Sequence, residues 1–168
     1  MMKKFKLHSI VDESQLNSIK ELAEEIWPST YSPILSNGQI SYMMDLMYSE
    51  RALQEQLENG VLFYLVLFND KEVGYTAVEP NYKDGDQLYI HKLYILPQLQ
   101  GIGLGKSVIE SIAEIAKKKK LSCISLNVNR YNKALYFYEK LGFKIEKEED
   151  IDIGNNYYMN DYVMQKKV

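Results

Sequence analysis

The stretch Gln100-Gly101-Ile102-Gly103-Leu104-Gly105-Lys106 constrains this chain more than any other. It places glycines at alternate positions between a strand-like run, Gln87 to Leu96, and a long amphipathic pattern carrying Leu104, Val108, Ile112 and Ile115 at helical spacing. Glycine lacks Cβ and accepts positive φ, so such a turn can bring its main-chain N–H groups close to a ligand. The helix that follows adds its positive N-terminal end, and the two together make a seat for phosphate oxygens. A diphosphate is the natural guest.

The neighbouring residues decide which diphosphate. A Walker A loop needs Gly-x-x-x-x-Gly-Lys-Ser/Thr, whereas Gly105 before Lys106 stands at the wrong offset from Gly101, and accompanying magnesium ligands are not evident. A dinucleotide fingerprint needs Gly-x-Gly-x-x-Gly with an acid about 20 residues later. Here the third glycine comes too soon, and Lys117 to Lys120 occupy the region where that acid should stand. A nucleotide-binding regulatory domain is disfavoured on both counts.

The pattern that fits is Gln-x-x-Gly-x-Gly at Gln100, Gly103 and Gly105, preceded by Leu93-Tyr94-Ile95-Leu96-Pro97. It resembles the acyl-CoA pyrophosphate loop of the GCN5-related N-acetyltransferase (GNAT) superfamily. A second element follows in order: Asn132-Lys133-Ala134-Leu135-Tyr136-Phe137-Tyr138-Glu139-Lys140-Leu141-Gly142-Phe143 is similar to that family's Asn-x-Ala-x-x-x-Tyr-x-x-x-Gly-Phe segment. The resemblance covers about residues 60 to 167 and is looser before that. It implies the GNAT acyl-CoA N-acyltransferase fold, α/β in class, with a central mixed, mostly antiparallel sheet flanked by helices. It also implies acetyl-CoA as cosubstrate and an amine as acceptor.

Composition sets the outer bounds. The 168 residues predict one domain, 1–168, with 46% apolar and 26% charged residues as in ordinary globular chains. A net charge of −3 supplies no general field for nucleic acid or a membrane surface. The single cysteine, Cys123, lies in an apolar run and is expected as a buried thiol in a reducing compartment. Met1 to Lys4 precede no long apolar stretch, so a signal peptide is not expected. The longest apolar run, Val61 to Phe68, is too short to span a bilayer and predicts a buried strand. A cytoplasmic protein without a metal is the expectation.

Phe5 to Ile10 predicts a first strand. Asp12 with Gln15 signals the start of a helix carrying Leu16, Ile19, Leu22, Ala23 and Ile26 on one stripe and ending before Pro28. A second helix is predicted over Ile34 to Met47, and a third, capped by Ser49, ends at Gly60. Val61 to Phe68 and Glu72 to Val78 form a hairpin about Asn69-Asp70. After the glycine loop, the Lys117 to Lys120 run suits a solvated helix C-terminus. A strand over Cys123 to Val128 and a helix over Asn132 to Leu141 follow. A hairpin of Phe143 to Ile151 and Tyr157 to Gln165, turning at Gly154-Asn155, closes the chain.

Acetyl transfer from a thioester to an amine requires a held coenzyme, a polarised carbonyl, a neutral amine and a stabilised thiolate. The resemblance assigns the first to the main chain of Gln100, Gly101, Ile102, Gly103, Leu104, Gly105 and Lys106. It lays the pantetheine arm along Leu93, Tyr94 and Ile95 like an added strand. Asn132 is expected to contact the pantetheine amides, to cap its helix, or both. Polarisation would use a strand N–H freed by a local bulge.

Many relatives carry a base, glutamate, on this strand, but here Tyr89 and His91 occupy the corresponding positions. Alternation places Tyr89, His91, Leu93 and Ile95 on one face. A histidine titrates near ~6.5, so His91 could accept the proton, through water if needed; it could equally be a structural histidine, and acids elsewhere remain open. Tyr138 matches the family's proton donor. A free phenol near ~10 and a thiol near ~8.5 make full transfer uphill by roughly 2 kcal/mol, so a strong hydrogen bond is expected of it.

For the acceptor, the resemblance points to the first two helices and the splayed strands. Trp27, Tyr31, Tyr42 and Tyr89 are the candidate contacts, in a region also rich in Met43, Met47 and Tyr48, half of it ordinary core. Aromatic walls suit an amine with an apolar or cationic body. The layout, including Tyr157 to Asp161, resembles bacterial polyamine acetyltransferases, and homodimers are common in the family. A small-molecule or peptide amine is therefore the expected partner. The alternative is a non-catalytic acyl-CoA sensor, favoured by the missing strand glutamate and opposed by Tyr138.

Overall fold

The computed structural model describes residues 4–168. Its strands are β1 (Phe5–Ser9), β2 (Leu62–Phe68), β3 (Lys71–Pro80), β4 (Gln87–Ile95), β5 (Cys123–Asn129), β6 (Lys144–Gly154) and β7 (Tyr157–Lys167). They form one sheet in the order β1-β2-β3-β4-β5-β7-β6, in which β4 and β5 are parallel and every other pair is antiparallel. The helices are α1 (Leu16–Tyr31), α2 (Asn37–Tyr48), α3 (Glu50–Glu58), α4 (Leu104–Lys118) and α5 (Ala134–Lys140). This is the mixed, mostly antiparallel sheet flanked by helices that the resemblance implies. Met1 to Lys3, within the segment weighed above as a leader, lie outside the described residues. No helix among the described residues is long and apolar enough to cross a membrane.

Local chemistry explains where boundaries fall. Asn69 and Asp70 both adopt positive φ (51° and 63°), giving the two-residue turn whose twist matches the hairpin strands. Asn155 and Asn156 (54° and 61°) do the same between β6 and β7, one residue later than expected. Ser49 caps α3 as expected, its Oγ accepting the Ala52 N–H at 3.2 Å. Ser36 caps α2 through the Gln39 N–H at 3.1 Å, which moves that helix start from Ile34 to Asn37. α1 runs through Pro28 instead of ending before it. Proline withholds one donor, but the retained last turn buries Trp27 and Tyr31, a gain of several kcal/mol for two large aromatic side chains.

Two features of β4 shape the functional region. Its pairing with β5 stops at Ile90↔Leu126, after which the two strands diverge. On its other side, Ala77↔Lys92 is followed by Val78↔Ile90, so His91 is an extra residue and β4 carries a bulge. Alternation therefore slips by one. Lys92 and Tyr94 pair with Ala77 and Tyr75 on the side of α1, where Tyr94 meets Trp27. Leu93 and Ile95 pair with Thr76 and Gly74 on the opposite side, while Tyr89, after the bulge, returns to the α1 side in contact with His91. The expectation that Tyr89, His91, Leu93 and Ile95 share a face is thus corrected: the first two are separated from the last two.

Candidate active site

The divergence of β4 from β5 opens a cleft of about 850 Å³ between α1 and α2 at one end and the glycine loop and α5 at the other. At the loop, Gly101 and Gly103 have φ of 81° and 91°, and a Cβ on either would meet no atom within 4 Å. The α4 ladder begins with the Ser107 N–H donating to Gly103 O at 3.1 Å. The N–H groups of Leu104, Gly105 and Lys106 consequently have no intrahelical carbonyl. Open space beside unspent donors at a helix N-terminus fits a diphosphate.

The other loop residues serve differently. A Cβ on Gly105 would lie 2.9 Å from Phe137 Cζ, so this glycine lets α4 touch α5. The Gln100 side chain folds back, its Nε2 donating to Ile95 O at 3.1 Å and bracing the loop against β4. Ile102 is exposed and Leu104 lies in the core, so each could serve a ligand only through its main chain. Lys106 faces Glu110 at 4.0 Å on an exposed surface.

At the cleft's centre, Asn132 Oδ1 accepts the Ala134 N–H at 2.9 Å and so caps α5. One turn on, Tyr138 is buried with its ring against Phe137 (5.1 Å) and Phe143 (5.5 Å), and burial pushes its hydroxyl far above the ordinary phenol range. Tyr31 reaches in from α1, its hydroxyl 2.7 Å from that of Tyr94. Burial pushes Tyr31 up to about 12, its bond to Tyr94 opposes the rise, and the Asp161 carboxylate adds to it. Trp27 packs 4.6 Å from Tyr31 and donates to Tyr48 Oη at 3.2 Å, forming a buried part of the cleft wall. Tyr42 does not line the cleft. Its hydroxyl donates to Ile153 O at 2.6 Å and its ring packs on Tyr157, so it props the β6–β7 hairpin.

The remaining wall is where titratable groups converge. His91 Nε2 lies 3.0 Å from Glu79 Oε1, with Tyr89 and Tyr82 edge-on at 4.7 and 5.4 Å. Burial lowers its pKa, the bond to Glu79 works against this, and nearby Lys92 lowers it further. Tyr89 donates to Asn127 Oδ1 at 2.9 Å, and the Asn127 amide donates onward to Glu149 (3.2 Å) and Asp161 (3.3 Å). Asp161 is only 3% exposed, and burial pushes it up to about 6. Lys92, 6% exposed, is brought down to about 8 by desolvation. Its ammonium reaches away under Tyr48 to Gln56, which bonds Met47 O at the C-terminal end of α2.

Asp161, Asn127, Lys92 and Glu79 were not singled out from the sequence. The available signal was a polar residue inside an apolar strand pattern, as Asn127 is within Cys123 to Val128.

The burial of Asp161 has a measurable consequence. The rise from 3.8 to about 6 means that the folded state is destabilised by about 3 kcal/mol wherever the carboxylate is ionised in both states. A raised carboxyl pKa favours folding at low pH, and this advantage is lost as pH climbs from about 4 to about 6. Asp161→Asn keeps an acceptor for Asn127 and never ionises. Its melting temperature should therefore exceed that of the parent above pH 7 and converge with it below pH 4, as thermal unfolding across pH would record.

A family model for the acetyltransferase (GNAT) family matches residues 16–143. The chain belongs to the GNAT family. Among GNAT relatives, the spermidine N(1)-acetyltransferase of Thermoplasma acidophilum is 27% identical over 158 residues, 90% of this chain and 91% of that one. The glucosamine 6-phosphate N-acetyltransferase of Trypanosoma brucei brucei is 31% identical over 146 residues, 83% of this chain and 90% of that one. The crystal structure of PaiA N-acetyltransferase from Thermoplasma acidophilum in complex with coenzyme A superposes with a TM-score of 0.78 at 25% identity, covering 100% of both chains. As a GNAT protein the chain is an acetyl-CoA-dependent N-acetyltransferase, transferring acetyl to an amine.

Proposed function

We propose that residues 1–168 form a single acetyltransferase domain in which a primary amine attacks the acetyl thioester directly, with donor and acceptor bound together. The observation that carries this reading is the continuity of one cleft from Gly103 past Tyr138 to Tyr31 and Asp161. A coenzyme held at one end and an amine at the other would meet without a covalent protein intermediate.

Bound acetyl-CoA supplies the activated acyl group. The N–H groups of residues 101 to 106 hold its diphosphate, and the main chain of β4 past Ile90, left without β5, offers donors and acceptors to the pantetheine amides. Asn132 stands at the mouth of α5 beside that path while capping the helix. The bulge at His91 and Lys92 frees the local backbone to point an N–H at the carbonyl oxygen. Tyr138 donates to the sulfur as it leaves. Because burial raises its pKa, Tyr138 keeps its proton until charge has developed there.

His91, oriented by Glu79, takes the proton from the attacking amine, and the aromatic wall of Trp27, Tyr31 and Tyr89 receives the amine's body. The acceptor is a small-molecule or peptide primary amine with an apolar or cationic body, a reading supported by likeness to the spermidine acetyltransferase. A base works only when deprotonated, so the rate should fall as pH drops through the pKa of His91, which lies below 6.5. His91→Ala should cut turnover about 10- to 100-fold and abolish that acidic limb. Glu79→Gln removes the partner that holds the pKa up and should move the limb to lower pH. Thiol release from acetyl-CoA across polyamines, amino acids, aminoglycosides and peptides gives the assay. An acidic limb unchanged in both variants rules His91 out.

A further inference from the structure

We infer that Asp161 anchors a second ammonium group of the acceptor, so that the cleft selects short diamines and polyamines over monoamines. This rests on the direct-attack reading above and adds to it a binding subsite. Asp161 sits on β7, which lies inside the sheet between β5 and β6, opposite Asn129 and Glu149. Its carboxylate lines the cleft at 3% exposure, yet among the described residues its only side-chain hydrogen bond is the 3.3 Å contact from the neutral Asn127 amide.

Among the described residues no Lys, Arg or His nitrogen lies within 4.0 Å of it. Arg130 favours the ionised carboxylate from a distance, but its guanidinium is bonded to Glu148 and Asp150, and Lys147 is bonded to Glu149. A charge buried this far without a cation in contact is destabilising unless a partner arrives from outside the chain. The surroundings fit an alkylammonium. Tyr31 lines the same cleft, and Tyr89 presents a ring whose hydroxyl fixes the Asn127 amide toward both acids. Carboxylates beside tyrosine faces bind a cation and pack against its methylenes.

The span also suits a short chain. Asp161 is one strand spacing, about 4.8 Å, from β5, and it stands opposite Asn129, roughly 10 Å along β5 from Leu126, where β4 splits away. A reacting amine bound past the split, within the same cleft, is therefore in reach of an ammonium at Asp161 through an alkyl chain.

The test compares kcat/KM for butylamine, putrescine and spermidine in the parent and in Asp161→Asn. It also measures equilibrium binding of the same amines to each protein saturated with coenzyme A. In the parent, putrescine and spermidine should exceed butylamine by about 100-fold, and Asp161→Asn should collapse that ratio to within a few-fold. Asp161→Glu should restore part of it. An unchanged diamine-to-monoamine ratio in Asp161→Asn, or a parent that does not prefer diamines in binding, overturns the assignment. If no amine releases thiol, direct attack falls while the binding arm still decides Asp161.

Discussion

Gly103→Val is expected to weaken coenzyme A binding by at least about 100-fold, close to 3 kcal/mol, when measured by titration calorimetry. The loss comes from two sources that can be separated. Valine at a φ of 91° is strained by about 1–3 kcal/mol, which acts on the folded protein whether or not ligand is present. Its branched side chain also enters space that no protein atom approaches within 4 Å, beside the free N–H groups of Leu104 to Lys106. Only the second effect blocks a diphosphate. Gly103→Asn adopts positive φ with less strain but still projects into the same space, so it should retain more stability and lose comparable affinity. Gly105→Ala should do the reverse, because its Cβ presses on Phe137 rather than on the seat and therefore loosens α5. Full affinity in Gly103→Val would remove the loop from its role.

That contrast between neighbouring glycines marks how far the sequence could be read. The spacing of Gln100, Gly103 and Gly105 locates the loop, but only the packing of α4 on α5 distinguishes a glycine open to ligand from one that accommodates Phe137. Elements set by local chemistry were legible: the Asn69-Asp70 turn, the Ser49 cap and the apolar run of β2 each need only near neighbours. The β4 bulge was not, since it is a mismatch between Thr76–Val78 on one strand and Ile90–Leu93 on another. Simple alternation therefore put Leu93 and Ile95 on the wrong side. Asp161 was hidden for a related reason. It belongs to the last strand in the chain, yet β7 pairs directly with β5 and carries the acid into the cleft wall. Tyr42 was misread because aromatic content marks a region, whereas the bond from its hydroxyl to Ile153 O decides its task.

Tyr138→Phe is expected to lower turnover by about 100-fold while leaving coenzyme A affinity within a few-fold of the parent. Phenylalanine fills the same volume against Phe137 and Phe143, so the packing of α5 is preserved and the change removes a single hydroxyl. A donor aimed at charge that develops only in the transition state contributes about 3–4 kcal/mol in comparable sites, which sets the scale of the loss. Binding of the ground state gains little from that donor, because the intact thioester sulfur is a weak acceptor. The direction of the pKa matters here. A tyrosine lowered toward 8 could act as a freely exchanging acid, and its loss would appear as a missing limb in the pH profile. Burial drives Tyr138 the other way, so the deficit in Tyr138→Phe should be nearly constant from pH 6 to 9. Single-turnover kinetics alongside calorimetry separate these outcomes. A variant with parental turnover would leave Tyr138 a packing residue, and a loss confined to one side of neutrality would make it a titrating acid instead of a fixed donor.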